Sequence, residues 1–454
     1  MLLAVAFTLK NISVIKQRKE DKIIMKIAKK PPMGWNSWDC FGASVTEEQV
    51  RANAEYMAKN LKEFGWEYVV VDIQWYQPTA ASHEYEPFAD LCMDEYGRLM
   101  PAQNRFPSAK DGRGFTALAE YIHSLGLKFG IHIMRGMPRM AAHKNLPIKD
   151  SAFTARQVAD PNSICAWNPD MYGLKCEQEE AGAKAYYDSI FQMYADWGVD
   201  FVKVDDIARE YPHCKREIEI ISKACRDTGR DIVLSLSPGP APVEQAEHLK
   251  QYANMWRITD DFWDKWELLL EMFDRAQQWC IHSGPGHWPD ADMLPVGALR
   301  QDYRSDDWTG FTEEEQITML SLWCMMRSPL IVGADLPKND EFTLKLLTNA
   351  DILEIEEKSH CAHPLFRNEN EIAWIAPMKN GAGTYVALFN ISDEDRSITL
   401  SLPEYELNHY QTIKELWSQQ KVDGADTLKS TVKAHGAVVY RMEDWYIYSD
   451  DFCL

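Results

Sequence analysis

Short apolar runs alternate with amphipathic stretches through the first three quarters of the chain. The runs are Met33–Asn36, Tyr68–Asp72, Lys128–Ile133, Phe201–Asp205, Ile232–Ser235, Asn254–Arg257, Trp279–His282 and Leu330–Val332. They are short, and several end in charged residues, the pattern of buried strands that emerge into a polar cleft. Between them, Val50–Phe64, Phe115–Leu125, Ala183–Trp197 and Thr312–Met326 carry apolar residues at spacings of three and four, which predicts helices. The last of these shows the plainest helical pattern. Eight strands alternating with helices predict an α/β fold of the (β/α)8 TIM-barrel type. An open doubly wound sheet is the competing arrangement, but no Gly-x-Gly-x-x-Gly follows any predicted strand.

The pattern changes from about Thr348. Ile372–Ile375, Thr384–Phe389, Arg396–Leu402, Gln411–Leu416 and Ala437–Met442 are short strand-like runs separated by turn residues such as Lys379-Asn380-Gly381. They predict a small C-terminal antiparallel β-sandwich. The expected division is an N-terminal extension over 1–24, a barrel over 25–345, a sandwich over 346–442 and a tail over 443–454. Such a division suits a length of 454 residues, too long for one ordinary core.

Composition narrows the function. The net charge of −21, from 48 basic and 69 acidic residues, repels nucleic acid and anionic membranes. No run of about 18 apolar residues exists to span a bilayer. The apolar segment Met1–Leu9 lacks a basic stretch before it and a small-residue cleavage site after it, so a cytoplasmic chain is expected, with Met25 the more natural start. The ten cysteines are scattered without a Cys-x-x-Cys and predict reduced core thiols. Sixteen Trp and 19 Tyr supply flat amphipathic rings of the kind that suit sugar faces. The sequence leaves the oligomeric state open.

In a barrel the chemistry gathers at the C-terminal strand ends. Those ends hold Trp35, Asn36, Trp38 and Asp39 after the first strand, Asp72 and Trp75 after the second, and His132 and Arg135 after the third. Lys203, Asp205 and Asp206 follow the fourth, Arg257, Asp260 and Asp261 the sixth, and Gly284–Asp292 the seventh. Two carboxylates of unequal pKa facing one cleft are the minimum equipment for hydrolysing a glycosidic bond. Lys203 shares a strand face with Asp205, so its cation is expected to keep Asp205 ionised and to donate to a sugar hydroxyl.

Several segments, in order, resemble glycoside hydrolase family 27, the family of α-galactosidases and α-N-acetylgalactosaminidases. Pro31-Pro32-Met33-Gly34-Trp35-Asn36-Ser37-Trp38 is similar to the opening of its barrel, and Val202-Lys203-Val204-Asp205 to its Lys-aromatic-Asp nucleophile motif. Trp256-Arg257-Ile258-Thr259-Asp260-Asp261 resembles its Trp-Arg-x-x-x-Asp acid/base motif. Gly284-Pro285-Gly286-His287-Trp288-Pro289-Asp290-Ala291-Asp292-Met293-Leu294 resembles its Gly-Pro-Gly-x-Trp-x-Asp-x-Asp-Met-Leu loop. Ser328-Pro329-Leu330-Ile331-Val332-Gly333-Ala334-Asp335-Leu336 is similar to its last strand. The resemblance implies a retaining exo-glycosidase that needs no metal or other cofactor, acts on a carbohydrate partner, and removes terminal α-galactosyl residues. It implies Asp205 as nucleophile and Asp261 as acid/base. It also implies Trp38 under the sugar ring, Asp72 on the hydroxyls away from C1, and Arg257 and Asp292 near the 2-position.

Three positions depart from that pattern. Asp72 is followed by Ile73 where the family has a second acid, and His132, expected among the substrate-binding residues, stands where an aromatic is usual. The loop Ser235–Ala241 has small residues that leave room for a bulkier 2-substituent, so α-N-acetylgalactosaminidase and β-L-arabinopyranosidase are the alternatives within the family. Asp206 and Asp260 are expected to be caps or loop charges beside the catalytic acids. Trp75 and Trp167 are equally compatible with subsite and core. The barrel-end acids with His132, His282 and His287 also suit a divalent metal, although no His-x-His pair precedes them. A Schiff-base role for Lys203 is disfavoured by an aspartate two residues away, which keeps the amine protonated. A sugar-binding barrel without catalysis would dispense with a catalytic carboxylate, and both are present.

Overall fold

The computed structural model describes residues 27–81, 85–301, 307–422 and 426–444. The N-terminal extension over 1–24, the proposed start at Met25, Cys453 and the tail aromatics Trp445, Tyr446, Tyr448 and Phe452 lie outside the described residues.

Parallel strands buried on both faces can close into a ring, and eight do so here. They are β1 (Met33–Asn36), β2 (Tyr68–Val71), β3 (Lys128–Met134), β4 (Phe201–Asp205), β5 (Val233–Leu236), β6 (Met255–Arg257), β7 (Trp288–Asp290) and β8 (Leu330–Val332). Their order is β7-β6-β5-β4-β3-β2-β1-β8. Just past β7, Leu294 bridges Val332 of β8 in parallel and joins the two edges. Side chains alternate between the faces of each strand. Tyr68, Val70, Phe201, Val233, Met255 and Trp288 form one buried cluster on the inner face. Their neighbours Val69, Val71, Val202 and Val204 belong to the larger core beneath the helices. Further along, the inner face turns polar: His132 pairs in register with Lys203, and Lys203 with Ser235. The lower barrel is therefore a filled apolar plug, and apart from Lys128 at the N-terminal rim the charged positions gather at its C-terminal mouth.

The expected seventh strand, Trp279–His282, is a correction. Helix α1 (Glu180–Asp196) precedes β4 as expected, but helix α2 (Trp266–Trp279) runs into the proposed seventh strand and continues as a 3-10 turn over Cys280–His282, while the strand lies at Trp288–Asp290. The apolar run belonged to a helix, because Leu269, Met272, Phe273, Ala276 and Trp279 are buried at spacings of one, three and four. Ile281 is 75% exposed, as a turn allows and an inner strand would not.

Helix α3 (Glu313–Met326) starts with a reciprocal cap in which the Thr312 hydroxyl accepts from Glu315 N–H and the Glu315 side chain takes the Thr312 N–H. The sequence predicts one apolar face, yet nearly every residue from Glu315 to Met326 is buried. The second face is covered by the C-terminal sandwich. Trp417 Nε1 donates to Ser321 Oγ at 3.0 Å, Thr318 Oγ1 donates to the His435 carbonyl at 2.6 Å, and the His435 ring stacks on Trp266 at 3.9 Å.

The sandwich comprises β9 (His363–Arg367), β10 (Glu371–Pro377), β11 (Gly383–Asn390), β12 (Arg396–Ser401), β13 (Thr412–Glu415), β14 (Lys421–Val422), β15 (Thr427–Val432) and β16 (Ala437–Glu443). Six form the sheet β9-β10-β11-β16-β13-β14, and β12 pairs with β15 in the second. The strands β9, β14 and β15 are additional to those expected. An unexpected three-stranded sheet follows β3, formed by Met137–Pro138, Met171–Leu174 and Ala159–Ile164. Nine cysteines lie among the described residues, none bonded to another; seven are buried, Cys361 is exposed and Cys92 lies between. No helix among the described residues is long and apolar enough to cross a membrane.

Close strand approach makes Gly34 obligatory. A Cβ there would sit 2.3 Å from the Tyr68 carbonyl oxygen of β2, inside any allowed contact. Gly34→Ala should lower stability by about 1–3 kcal/mol, read from the denaturant midpoint; an unchanged midpoint refutes this account of the β1–β2 contact.

Candidate active site

The inward alternation of the strands carries Lys203 and Asp205 of β4 and Arg257 of β6 to the barrel mouth, while the loops beyond the strands add the rest. Asp72, Lys203, Asp205, Arg257, Asp261 and Asp292 line one cavity. Its remaining walls are Trp38, Asp39, Tyr85, Phe262, Trp263 and Met293. Seven of the eight expected site residues thus meet in one place. The eighth, His132, is fully buried and does not line the cavity; it sits behind Asp205.

Asp205 is held from three directions. His132 Nε2 lies 2.9 Å from its Oδ2, while Ser237 Oγ and the Asp206 N–H each donate to Oδ1 at 3.0 Å. Burial alone would raise its pKa. The hydrogen bond and charge of His132, then the charge of Lys203, outweigh burial and hold it well below the usual carboxylate range. The Lys203 charge helps keep Asp205 ionised, as expected, while its hydrogen bond goes to Asp72, whose Oδ2 accepts the ammonium at 2.9 Å. Asn36 Nδ2 donates to the same oxygen at 2.7 Å and the Ile73 N–H to Oδ1 at 2.8 Å. Burial opposes the ionised Asp72, but Lys203 and His132 prevail and lower its pKa. Burial likewise opposes the Lys203 ammonium, yet Asp72 and Asp205 keep it protonated, which excludes a nucleophilic amine.

Across the cavity, Arg257 bridges two acids. Its Nη2 lies 2.7 Å from Asp292 Oδ2 and 3.1 Å from Asp261 Oδ1. The Phe262 N–H also donates to Asp292, at 2.7 Å. Burial pushes Asp292 up against the pull of Arg257, with Asp261 and Asp290 adding to the rise. Asp39 is raised by burial and then by Asp292. The two acids that the family resemblance implies for catalysis differ most in exposure: the side chain of Asp205 is 14% exposed and that of Asp261 56%.

The neighbouring acids have separate duties. Asp206 is buried against Arg135 at 3.0 Å, and burial pushes it up to about 6 despite that cation. Asp260 is an exposed loop charge paired with Arg209 at 2.8 Å; its Oδ1 also accepts the Asp261 N–H at 3.0 Å. Trp75 is fully buried core, its indole donating to the His132 carbonyl at 2.7 Å. Trp167 is half-buried, with its ring 5.2 Å from Tyr85. Tyr85 in turn lies parallel to Trp38 at 5.8 Å. Asp39, Met293 and Ser237 fall within segments named from sequence without a role for each, while Tyr85, Phe262 and Trp263 carried no signal, because they sit on irregular loops without periodicity. Among the described residues no three His, Cys, Asp or Glu are grouped so as to hold a metal ion.

A barrel whose mouth holds a desolvated carboxylate, an exposed acid and a set of buried sugar-sized polar groups is the architecture of a glycoside hydrolase. The family model described as alpha galactosidase A matches residues 30–160 and 166–358, and that of the alpha galactosidase C-terminal beta sandwich domain matches 369–442. The chain belongs to that family, glycoside hydrolase family 27. A family 27 β-L-arabinopyranosidase from Geobacillus stearothermophilus is 51% identical, with a TM-score of 0.90 over 94% of this chain and 99% of that one; a variant of it was solved with arabinose. A Bacillus halodurans protein assigned as an α-N-acetylgalactosaminidase is 48% identical, with a TM-score of 0.82 over 92% and 99%. Alpha-galactosidase 2 of Arabidopsis thaliana is 25% identical over 96% of each chain.

The Lys203–Asp72 pair yields a test with a definite sign. Lys203→Met leaves Asp72 buried with one cation fewer and should cost about 3–5 kcal/mol at neutral pH. The native pKa of Asp72 is depressed, so the pair's contribution is full above the unfolded value of about 3.9 and is lost as pH falls through the native value. Denaturant unfolding across that range should show the gap between variant and parent narrowing only in acid; a gap independent of pH would contradict the pairing.

Proposed function

We propose that the chain is a retaining exo-glycosidase for terminal galacto-configured pyranosides, with Asp205 as nucleophile and Asp261 as acid/base. The observation that carries this is the unequal pair on one cavity: a carboxylate kept charged by His132, Ser237 and Lys203, and an acid exposed at the mouth where a leaving group departs. Asp205 attacks the anomeric carbon as Asp261 protonates the glycosidic oxygen, giving a glycosyl ester and the free aglycone. Asp261, now a carboxylate, takes a proton from water that attacks the same carbon and releases the sugar with retention. Lys203, Asp72, Arg257 and Asp292 bind the ring hydroxyls from below and beside.

α-D-Galactosides and β-L-arabinopyranosides present the same ring, the pentose lacking the hydroxymethyl group on C5. A buried hydroxymethyl needs a hydrogen-bonding partner. Beside Asp72 this chain carries no second carboxylate, since Ile73 is buried in the core. That difference, together with 51% identity to an arabinopyranosidase, favours the pentopyranoside as the better substrate.

Asp205→Asn should abolish turnover of an aryl glycoside that the parent cleaves, and full activity would remove Asp205 from the nucleophile role. Asp261→Ala should lose far more activity on poor leaving groups than on activated aryl ones; equal losses would sink the acid role. In a panel of aryl β-L-arabinopyranoside, α-D-galactoside and α-N-acetylgalactosaminide, kcat/KM should favour the first over the second by about tenfold or more. Preference for the galactoside would overturn the sugar selection while leaving the catalytic pair in place.

A further inference from the structure

Beneath Asp205 lies a buried ion cluster none of whose members lines the cavity. Its centre is Arg135, immediately past β3 and nearly fully buried. The guanidinium grips Asp206 twice: Nε donates to its carbonyl at 2.6 Å, and Nη2 lies 3.0 Å from its carboxylate. On the other side, Nη1 donates to Ser163 Oγ at 3.0 Å and lies 3.7 Å from Glu217. Glu217 is fixed in turn by the Tyr187 hydroxyl at 2.5 Å, which accepts the Gly136 N–H at 2.8 Å. Arg135 also donates its own N–H to the Asp205 carbonyl at 3.0 Å.

The gripped residue has an unusual backbone. Asp206 has φ of 60°, left-handed, which costs an L-residue energy that aspartate tolerates better than most. At the entry to this turn the Asp206 N–H donates to Asp205 Oδ1 at 3.0 Å, one of the contacts that orient the carboxylate. The Arg135 side chain thus reaches the nucleophile only by way of Asp206, and Arg135 does not line the cavity.

We propose that Arg135 is a positioning residue for Asp205: by gripping both the carbonyl and the carboxylate of Asp206, it holds the left-handed turn that aims the nucleophile. This rests on Asp205 being the nucleophile. The competing role is bulk stability from a buried ion pair, which would affect folding and not the aim of the carboxylate.

Arg135→Lys keeps a buried cation but loses the planar fork that reaches both acceptors. On an aryl glycoside that the parent cleaves, kcat should fall about 10²-fold at nearly unchanged KM, because an error of about 1 Å in aim has that effect while the sugar contacts remain. Adding Asp206→Gly, which adopts the same φ without strain, should restore kcat at least about tenfold over Arg135→Lys alone. Should Arg135→Lys fail to fold, Ser163→Ala removes only one anchor of the guanidinium and should lower kcat about threefold at unchanged KM. Parental kcat in these variants, a loss that glycine does not relieve, or a rise in KM matching the loss would each overturn the positioning role. A fully active Asp205→Asn would instead overturn the nucleophile assignment itself.

Discussion

Keeping a carboxylate charged where water is nearly excluded is the constraint around which this barrel mouth is built. Burial disfavours the ionised form of Asp205, and the surroundings answer with a ring nitrogen, a hydroxyl, a backbone N–H and a cation one layer below. Each of these needs fixing of its own. His132 is locked in the core, its carbonyl taking the indole of Trp75. Ser237 lies just past β5, and its N–H is tied to the Val204 carbonyl. The Asp206 N–H depends on a left-handed turn under the guanidinium of Arg135.

The same constraint divides the acids of the site into two kinds. Among the described residues lining the cavity, Lys203 and Arg257 are the cations, against five aspartates. Lys203 pairs with Asp72 and lies near Asp205, so those two stay ionised. Arg257 is shared between Asp261 and Asp292, and burial leaves Asp39 and Asp292 raised. Burial first and neighbouring carboxylates second raise Asp39 and Asp292, while His132 and Lys203 keep Asp72 and Asp205 ionised, so carboxyl groups of unequal affinity for protons face one cavity.

The mouth rests on a support that extends beyond the barrel. Helix α3 packs against the barrel on one side and the sandwich on the other, and the Trp323 indole donates to the Asp292 carbonyl at 3.0 Å. Asp292 has φ of 80°, a conformation that its neighbours must hold. The sandwich covers α3 and so stands behind a wall of the site without lining it.

How much of this was legible follows from the range of each signal. Alternation along β4 put Phe201, Lys203 and Asp205 on one face, and the sequence alone determined that the apolar residue lies deep and the acid at the rim. It likewise determined seven of the strands, the sandwich, and seven residues that meet at one cavity, because those depend on local periodicity and on motifs of a few residues. The strand at Trp288–Asp290 was hidden by its length of three residues and its proline, and the neighbouring apolar run turned out to be the end of a helix. Only the tertiary structure decided which charges pair. Sequence put Lys203 on the face of Asp205, and the tertiary structure brings its ammonium past β3 to Asp72, 131 positions earlier in the chain. It also moved His132 from the cavity wall to the back of Asp205 and joined Arg135 to Asp206. Such pairings depend on distances between strands, set by barrel closure and register, and no pattern within one strand contains them.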